Sequence, residues 1–450
     1  MGNSPDNFDS IGVDEFNTLM EALGGFEASP IIAVGVSGGA DSLALVRLMN
    51  CWADACGGRV IGLSVDHGLR PEAVHEARQV GKWLRDLDID HHILTWTGPK
   101  PATGIQSKAR DARRELMLNW CREAGVLHLS FAHHADDQAE TYMMRLRKGS
   151  GPVGLAGMSL IREFPQARII RPLLSVRKTR LVATLEGLGQ NWIEDPSNDM
   201  DQFERVRIRK TMAESDLDPH HIASVMSEYG LMRAELDVVC ASILARSVQF
   251  HPAGYALINA DKFCREGEKL GARALGRLLI AIGGQKYGAN REKLNRAYQF
   301  LNKNHTKGGI TLAGCRIAPS RDGYLICREN RNMPDNIAIN PGDNIRDSIY
   351  WDHRFNVKAS LNRAGGAPCI LAALGEAGWQ QIVQQQPELR ESPVPLIARY
   401  SLPALYCDQF VVQVPHLGYN EPMTTNSCAK LVDVRFSPGE PVLGVHFFPL

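Results

Sequence analysis

At 450 residues the chain exceeds what one ordinary hydrophobic core accommodates, and 44% apolar with 22% charged content excludes a disordered or fibrous protein and predicts about two to four globular domains. Fifty basic and fifty acidic residues cancel, so any nucleic-acid partner has to be held by local patches and not by overall charge. Ten cysteines without a C-x-x-C pair argue against a zinc or iron–sulfur site; with no basic-then-apolar start and no run near about 18 apolar residues, the expectation is a cytoplasmic chain with no membrane segment.

Val13 to Leu23 has helical periodicity closed by Gly24-Gly25, and Pro30 leads into Ile31-Ile32-Ala33-Val34-Gly35-Val36, an apolar run that reads as a strand buried on both faces. It ends in Ser37-Gly38-Gly39-Ala40-Asp41-Ser42 and opens into Leu43-Ala44-Leu45-Val46, the order strand, phosphate loop, helix. Two glycines let a phosphate approach the backbone, Ser42 is placed to cap the helix, and the helix start aims unpaired N–H groups at the anion. The lysine of G-x-x-x-x-G-K-[ST] and the third glycine of G-x-G-x-x-G are both missing. A glycine-rich turn with a capping acid is the plainer alternative.

Arg59 to Val65 reads as a second buried strand ending in Asp66-His67-Gly68-Leu69-Arg70, at the strand end where α/β sheets place ligand contacts. A satisfied turn with a surface histidine fits those residues equally. Pro71 to Leu87 predicts a crossover helix, His91 to Trp96 a third strand, and Gln106 to Ala124 a long helix on which Arg110, Arg113 and Arg114 share a face. Val126 to Ala132 predicts a fourth strand, running into His133-His134-Ala135-Asp136-Asp137-Gln138-Ala139-Glu140-Thr141. That cluster gathers oxygen ligands and proton acceptors, and hard oxygens suit Mg²⁺ carried by ATP better than zinc. An N-cap with packed histidines is the competing reading.

Arg145, Arg147 and Lys148 end the next helix, and a glycine-rich stretch follows from Gly149 to Met158, suited to mobility and to meeting a polyanion. Val176 to Leu188 predicts a helix whose first turn carries Arg177, Lys178 and Arg180, where the helix dipole disfavours cations; an anionic partner would explain the placement, and a plain surface would also tolerate it. In Phe203 to Lys210, arginines alternate with Val and Ile, which puts Arg205, Arg207 and Arg209 on one side if the segment is extended.

The Ser-Gly-Gly-x-Asp-Ser loop resembles that of the ATP pyrophosphatase (PP-loop) family, which points to a ligase and not a kinase. The ordered set of that loop, Asp66 to Arg70, Gln106 with Ala109-Arg110 and Arg113, Ala132 to Thr141, Gly149-Ser150-Gly151 with Gly154 to Met158, and Asp195-Pro196-Ser197-Asn198 is similar to the tRNA(Ile)-lysidine synthetase family over roughly residues 30 to 210. Arg114 replaces the family's usual aromatic residue, and Lys148 its usual Arg. The elements predict, and the resemblance over the first part also implies, a parallel doubly wound α/β sheet; with the pattern beyond residue 216 the expectation is a helical tRNA-binding middle domain and a small β-containing C-terminal domain, with boundaries at 1–215, 216–335 and 336–450. It implies ATP, Mg²⁺, free L-lysine and the CAU-anticodon tRNA(Ile) as reactants, joined at the wobble cytidine through an adenylated intermediate. A homodimer stands among the expected assemblies. By the same resemblance, Ser37, Gly38, Gly39, Ala40, Asp41, Ser42, Arg110, Arg113 and His133 hold ATP. Asp41, Asp136 and Asp137 act in catalysis, Asp41 and Asp137 meet the metal, and Arg145, Arg147, Lys148, Arg205, Arg207 and Arg209 meet RNA. A tRNA thiolase of the same superfamily, or a non-catalytic RNA-binding module, are the rival readings.

Beyond residue 216, helical periodicity covers Ile222 to Arg246, Gly271 to Ile282 and Asn290 to Leu301. From Arg265 to Lys307 basic residues outnumber acids and Tyr287, Tyr298 and Phe300 are interleaved, a pattern suited to phosphate contacts and base stacking, with an ordinary amphipathic surface as the competing reading. Gly309 to Ala318 and Tyr324 to Glu329 predict a hairpin about Asp322-Gly323, Asn330 to Asn344 a linker, and Tyr350 to Phe355 with Phe410 to Val414 a small β region.

Overall fold

The computed structural model describes residues 9–68, 72–97, 105–194, 207–208, 211, 219–285, 287–303, 307–341, 343, 348–361, 366–421, 427–443 and 448. The chain divides into two compact units, Met1–Glu235 with His446–Leu450, and Leu236–Val445.

The first unit is built on a six-stranded sheet in the order β3-β2-β1-β4-β6-β5, formed by β1 Ile31–Gly35, β2 Arg59–Asp66, β3 Asp90–Thr95, β4 His128–Ser130, β5 Ile161–Glu163 and β6 Arg168–Ile170. β3, β2, β1, β4 and β6 run parallel, and β5 returns antiparallel along β6. The connecting helices are α1 Val13–Glu21, α2 Ala40–Ala55, α3 Glu72–Arg85, α4 Ile105–Ala124, α5 Ala135–Arg147, the single turn α6 Pro152–Leu155 and α7 Lys178–Gly187.

Strand alternation decides which helix covers which face. Ile32 and Val34 pack with Phe16, Leu45, Val80 and Leu185 from α1, α2, α3 and α7, whereas Ala33, Ile61 and Leu129 pack with Met117, Leu118 and Cys121 from α4. Burial on both faces is why these strands read as continuous apolar runs.

The sheet order sets the site. β1 lies between β2 and β4, with registers Gly35↔Leu63 and Val34↔Ser130, so the chain leaves β1 toward one side and later crosses back to the other. A crevice opens at such a switch point, beyond the carboxyl ends of the strands. The turn after β1 and the turn after β4 therefore face the same space.

In the second unit, β7 Val248–His251, β8 Tyr255–Ile258, β9 Ile310–Leu312, β10 Cys315–Ser320 and β11 Gly323–Arg328 form a sheet ordered β7-β8-β11-β10-β9. The helices Glu268–Gly283 and Arg291–Asn302 belong to the same core. A second sheet, ordered β12-β15-β16-β17-β18, comprises β12 Ile337–Ile339, β15 Cys369–Ala373, β16 Pro403–Cys407, β17 Phe410–Val414 and β18 Tyr419–Asn420. A third contains β13 Ile349–Trp351, β14 Phe355–Leu361 and β19 Ala429–Phe436.

Several expectations need correcting here. The stretch 310–318 is two strands, because Ala313 and Gly314 take φ of 52° and 72° and fold β9 back on β10. The expected linker contains β12, whose short apolar strand pairs with β15. Arg207 and Ile208 are helical and not extended, and the Thr211 hydroxyl donates to the Arg207 carbonyl four residues back. In the basic stretch, Arg273 and Arg277 both donate to the buried Asp237, and Tyr298 is a core residue donating to the Cys264 carbonyl. These three side chains hold the fold, so the exposed cations there, among the described residues, are Arg265, Lys269, Arg291, Lys293, Arg296, Lys303 and Lys307, with Lys286 outside them. All ten cysteines are free thiols, and no helix among the described residues is long and apolar enough to cross a membrane.

Candidate active site

The loop after β1 needs its glycine. Gly38 takes φ +90°, and a Cβ there would lie 2.9 Å from both Ile193 Cδ1 and Val80 Cγ2. The Ile193 N–H donates to the Gly38 carbonyl at 2.9 Å, bracing the loop from the segment after α7. Ser42 is not the helix cap. Gly39, extended at φ −74° and ψ 161°, precedes the first helical residue Ala40, so Ser42 falls inside the first turn. From there its hydroxyl accepts the Ser37 N–H at 3.2 Å and donates to the Gly39 carbonyl at 2.9 Å, closing the loop into a ring. The Ser37 hydroxyl lies 3.3 Å from it. The amides at the start of α2 are those a helix leaves without intrahelical partners, which suits an anion.

Across the switch point, His134 caps α5 and Asp137 Oδ2 accepts the His134 N–H at 3.2 Å. The imidazole is 3% exposed and stands among three carboxylates: Asp41 and Asp137 each lie 3.5 Å from Nε2, and Asp136 lies 3.5 Å from Nδ1. Burial alone would depress its basicity, but the Asp136 and Asp41 contacts and the Asp137 charge outweigh it, and its pKa is pushed up to about 10. Burial likewise works to raise the Asp136 pKa; it is overcome by His134, the Lys178 N–H and Arg177, and the carboxyl is held well below the usual range. His134 is therefore a cation that lets three acids converge.

His134 stands in the expected cluster without a role assigned to it, and the competing reading, an N-cap with packed histidines, describes its position. The signal for it is the His-x-x-Asp spacing, with a histidine at the cap and an acid three residues on. The cations at the start of α7 have their anionic partners within the chain. Arg177 Nε donates to Asp136 Oδ1 at 3.3 Å, the Lys178 N–H to Asp136 Oδ2 at 2.8 Å, and Arg180 makes a bidentate pair with Glu15 at 2.7 Å. Lys178 Nζ also lies 3.9 Å from Asp41.

Linkage gives the cluster a pH signature. The raised His134 pKa contributes stability that is complete below 6.5 and lost as pH rises through about 10, and the depressed Asp136 pKa contributes stability lost as pH falls into the acid range. His134→Gln is expected to lower the melting temperature by several degrees at neutral pH, with the gap to the parent closing as pH rises through 10. A gap that stays constant from pH 7 to 11 would show that no charge on His134 is involved.

The remaining expected residues divide. Arg113 on α4 is half-buried, and burial followed by the neighbouring Arg110 charge lowers its pKa; Arg110 itself is exposed. His133 is half-buried, edge-on to Phe131 with ring centroids 5.9 Å apart. The Asp66 carboxylate accepts the Gly68 N–H at 2.8 Å in a local turn. Arg145 donates to the Gly154 and Gly157 carbonyls, and Gln138 makes two bonds to the Met158 backbone, at 3.0 and 2.8 Å. The glycine-rich stretch is thus clamped onto α5, with Gly157 at φ +71° because a Cβ would strike Met226 and Gln138. Arg147, Lys148 and Arg207 are exposed, and Arg147 reaches the Thr211 hydroxyl at 3.4 Å. Leu69, Arg70, Asp195 to Asn198, Arg205, Arg209 and the side chain of Gln106 lie outside the described residues.

No group of three His, Cys, Asp or Glu side chains among the described residues is arranged to hold a metal by itself. Asp41 and Asp137, both turned to His134 Nε2, offer the one or two carboxylates that Mg²⁺ takes from a protein when phosphate oxygens and water fill its other positions. That donor set fits a nucleotide-borne Mg²⁺ and not a resident metal.

Comparison with known proteins agrees with this geometry. The family described as the PP-loop domain matches residues 13–215. A tRNA(Ile)-lysidine synthase from Bradyrhizobium sp. is 41% identical over 324 residues, covering 67% of this chain and 90% of the relative. The one from Hyphomonas neptunium is 37% identical over 313 residues, covering 68% and 84%, and that from Rickettsia felis is 28% identical over 443 residues, covering 96% and 98%. With an ATP-binding PP-loop at the switch point of its sheet and relatives matched over most of their length, the chain belongs to the tRNA(Ile)-lysidine synthase family.

Proposed function

We propose that this chain is a ligase that joins lysine to C2 of the wobble cytidine in the CAU-anticodon tRNA(Ile), using ATP. The observation that carries the reading is the meeting of the Ser37 to Ser42 loop with Asp41, Asp136 and Asp137 around one buried imidazole. In the first step the C2 carbonyl oxygen attacks the α-phosphorus of ATP, and the bond to pyrophosphate breaks. In the second the ε-amine of lysine attacks C2, AMP leaves and a proton is lost from the amine.

Ser37, Gly38, Gly39, Ala40 and Ser42 hold the departing pyrophosphate through the loop and helix-start amides. Arg110 and Arg113, on the helix that covers the neighbouring face, and His133 steady the nucleotide. Asp41 and Asp137 would hold a nucleotide-borne Mg²⁺, which when bound would supply charge neutralisation at the phosphates. Asp136, fixed by Arg177 and the Lys178 N–H, keeps His134 in place, and Asp137 takes the proton from the lysine amine. Arg147, Lys148 and Arg207, with Arg205 and Arg209, offer phosphate contacts to the anticodon arm, while Arg145 supports them through the loop it clamps. Residues 1–215 carry the chemistry, and the exposed cations of the helix Arg291–Asn302 suit 216–335 to RNA docking, leaving 336–450 as a small C-terminal domain. A tRNA substrate implies a cytoplasmic location, and a homodimer is checked by light scattering.

The deciding experiment measures pyrophosphate release with unmodified CAU-anticodon tRNA(Ile), with and without lysine, followed by mass analysis of the wobble nucleoside. A lysine-dependent mass gain is expected. Pyrophosphate release without it would move the reading to sulfur transfer, and no ATP cleavage at all would leave an RNA-binding module.

A further inference from the structure

We propose that Ser64 and His91 are positioning residues for ATP, acting in series to fix the first peptide of the phosphate loop; this rests on the ATP-site reading above. The pairing of β1 with β2 ends at Gly35↔Leu63, where the Val36 N–H donates to the Leu63 carbonyl at 2.8 Å. The Val36 carbonyl accepts the buried Ser64 hydroxyl of β2 at 2.8 Å. His91 Nε2, one strand further out on β3, lies 2.8 Å from the same hydroxyl. A serine hydroxyl has one proton, and it is committed to Val36. The third contact therefore requires a protonated Nε2 donating to the serine oxygen.

The chain runs from His91 through Ser64 to the Val36–Ser37 peptide. That peptide is held on both sides, its carbonyl by Ser64 and its N–H by the Ser42 hydroxyl at 3.2 Å. Its orientation sets where the Ser37 side chain and the Gly38 backbone point. Gly81 makes room for the imidazole, and Gly62 makes room for the Leu84 side chain beside it. On β2, a Cβ at Gly62 would meet Leu84 Cδ1 at 2.4 Å and His91 Cδ2 at 3.4 Å, and on α3 a Cβ at Gly81 would meet His91 Nδ1 at 3.0 Å. A glycine inside a helix is unfavourable relative to alanine, and an apolar side chain would fill this slot without it. The slot is shaped for a ring that reaches Ser64. Hydrogen-bonded neighbours of this kind are also coupled, so their effects on the loop are not independent.

The test is equilibrium titration of the full chain with ATP, at a temperature where circular dichroism shows each variant folded. Ser64→Ala is expected to weaken ATP binding about tenfold, the size that losing one well-placed hydrogen bond carries. His91→Phe, which keeps a ring and removes the donor, should weaken it several-fold, and His91→Gln, which restores an N–H, should recover most of the loss. The double variant Ser64→Ala with His91→Phe should bind ATP no worse than Ser64→Ala alone. ATP affinities within about twofold of the parent for both single variants, with only melting temperatures reduced, would overturn the proposal, because a packing role moves stability and not affinity. Additive losses in the double variant would overturn it too. If Ser64→Ala does not fold, the contrast between His91→Phe and His91→Gln carries the test. Lysine transfer by the parent is assayed separately: its absence sinks the ligase reading, whereas the ATP titrations speak only to the relay.

Discussion

Asp137→Asn is expected to cut lysine-dependent modification of the wobble nucleoside by about 10²–10³-fold while leaving the protein folded. The carboxylate has two separable jobs. It accepts the His134 N–H at the start of α5, and it places negative charge 3.5 Å from the buried imidazole, facing Asp41 across the switch point. An asparagine oxygen can still accept the His134 N–H, so the first job survives, and losing the charge beside the protonated imidazole should lower the melting temperature by only a few degrees, leaving the protein folded at assay temperature. The second job does not survive, because a neutral amide neither accepts a proton from an ammonium nor helps to hold Mg²⁺. Single-turnover modification followed by mass analysis measures the loss directly. Activity within a few-fold of the parent would take Asp137 out of the chemistry and leave it as a cap.

Gly38→Ala should damage the loop itself. At φ +90° an alanine is strained by about 1–3 kcal/mol, and its methyl group would press on Ile193 and Val80 at 2.9 Å. Ile193 is tied by its N–H to the Gly38 carbonyl, so relief requires the loop to move. ATP affinity is expected to fall at least about tenfold, with a melting temperature several degrees lower. Gly39→Ala is the control for stability. Gly39 has ordinary extended angles, and its nearest neighbour is the Ser37 hydroxyl oxygen at 3.7 Å, so the fold should not notice it. Undiminished ATP affinity in Gly38→Ala would mean that this turn does not cradle phosphate.

The sequence carried much of the first unit, and for a physical reason. Strands covered on both faces leave uninterrupted apolar runs such as Ile31 to Val36, and the polar clusters that break them mark the strand ends facing the ligand. Pairing across the molecule was less legible. Nothing local says that the out-of-place cations Arg177 and Arg180 answer Asp136 and Glu15, roughly forty and more than a hundred and sixty residues away. The same blindness makes Arg273, Arg277 and Tyr298 look like an RNA-binding face when Asp237 and Cys264 have already claimed them. His134 is legible as a cap with a packed ring, but its third carboxylate is not, because Asp41 arrives from α2. In the second unit the strands are short and half-exposed, so a two-residue turn such as Ala313-Gly314 hides inside what scans as one strand.

The backbone of Phe448 lies in the first unit, where its N–H donates to the Ser159 hydroxyl at 2.9 Å and its carbonyl accepts the Leu160 N–H at 3.1 Å. Ser159 follows the segment that Gln138 and Arg145 clamp, and its carbonyl also takes a bond from Arg171. Seen in the order of synthesis, the unit that holds the phosphate loop is begun first, yet one of its stitches is made by a residue polymerised only after the whole of Leu236–Val445. A chain lacking Phe448 would keep the phosphate loop and its facing carboxylates yet leave the Ser159–Leu160 edge unstitched, beside the segment clamped onto α5.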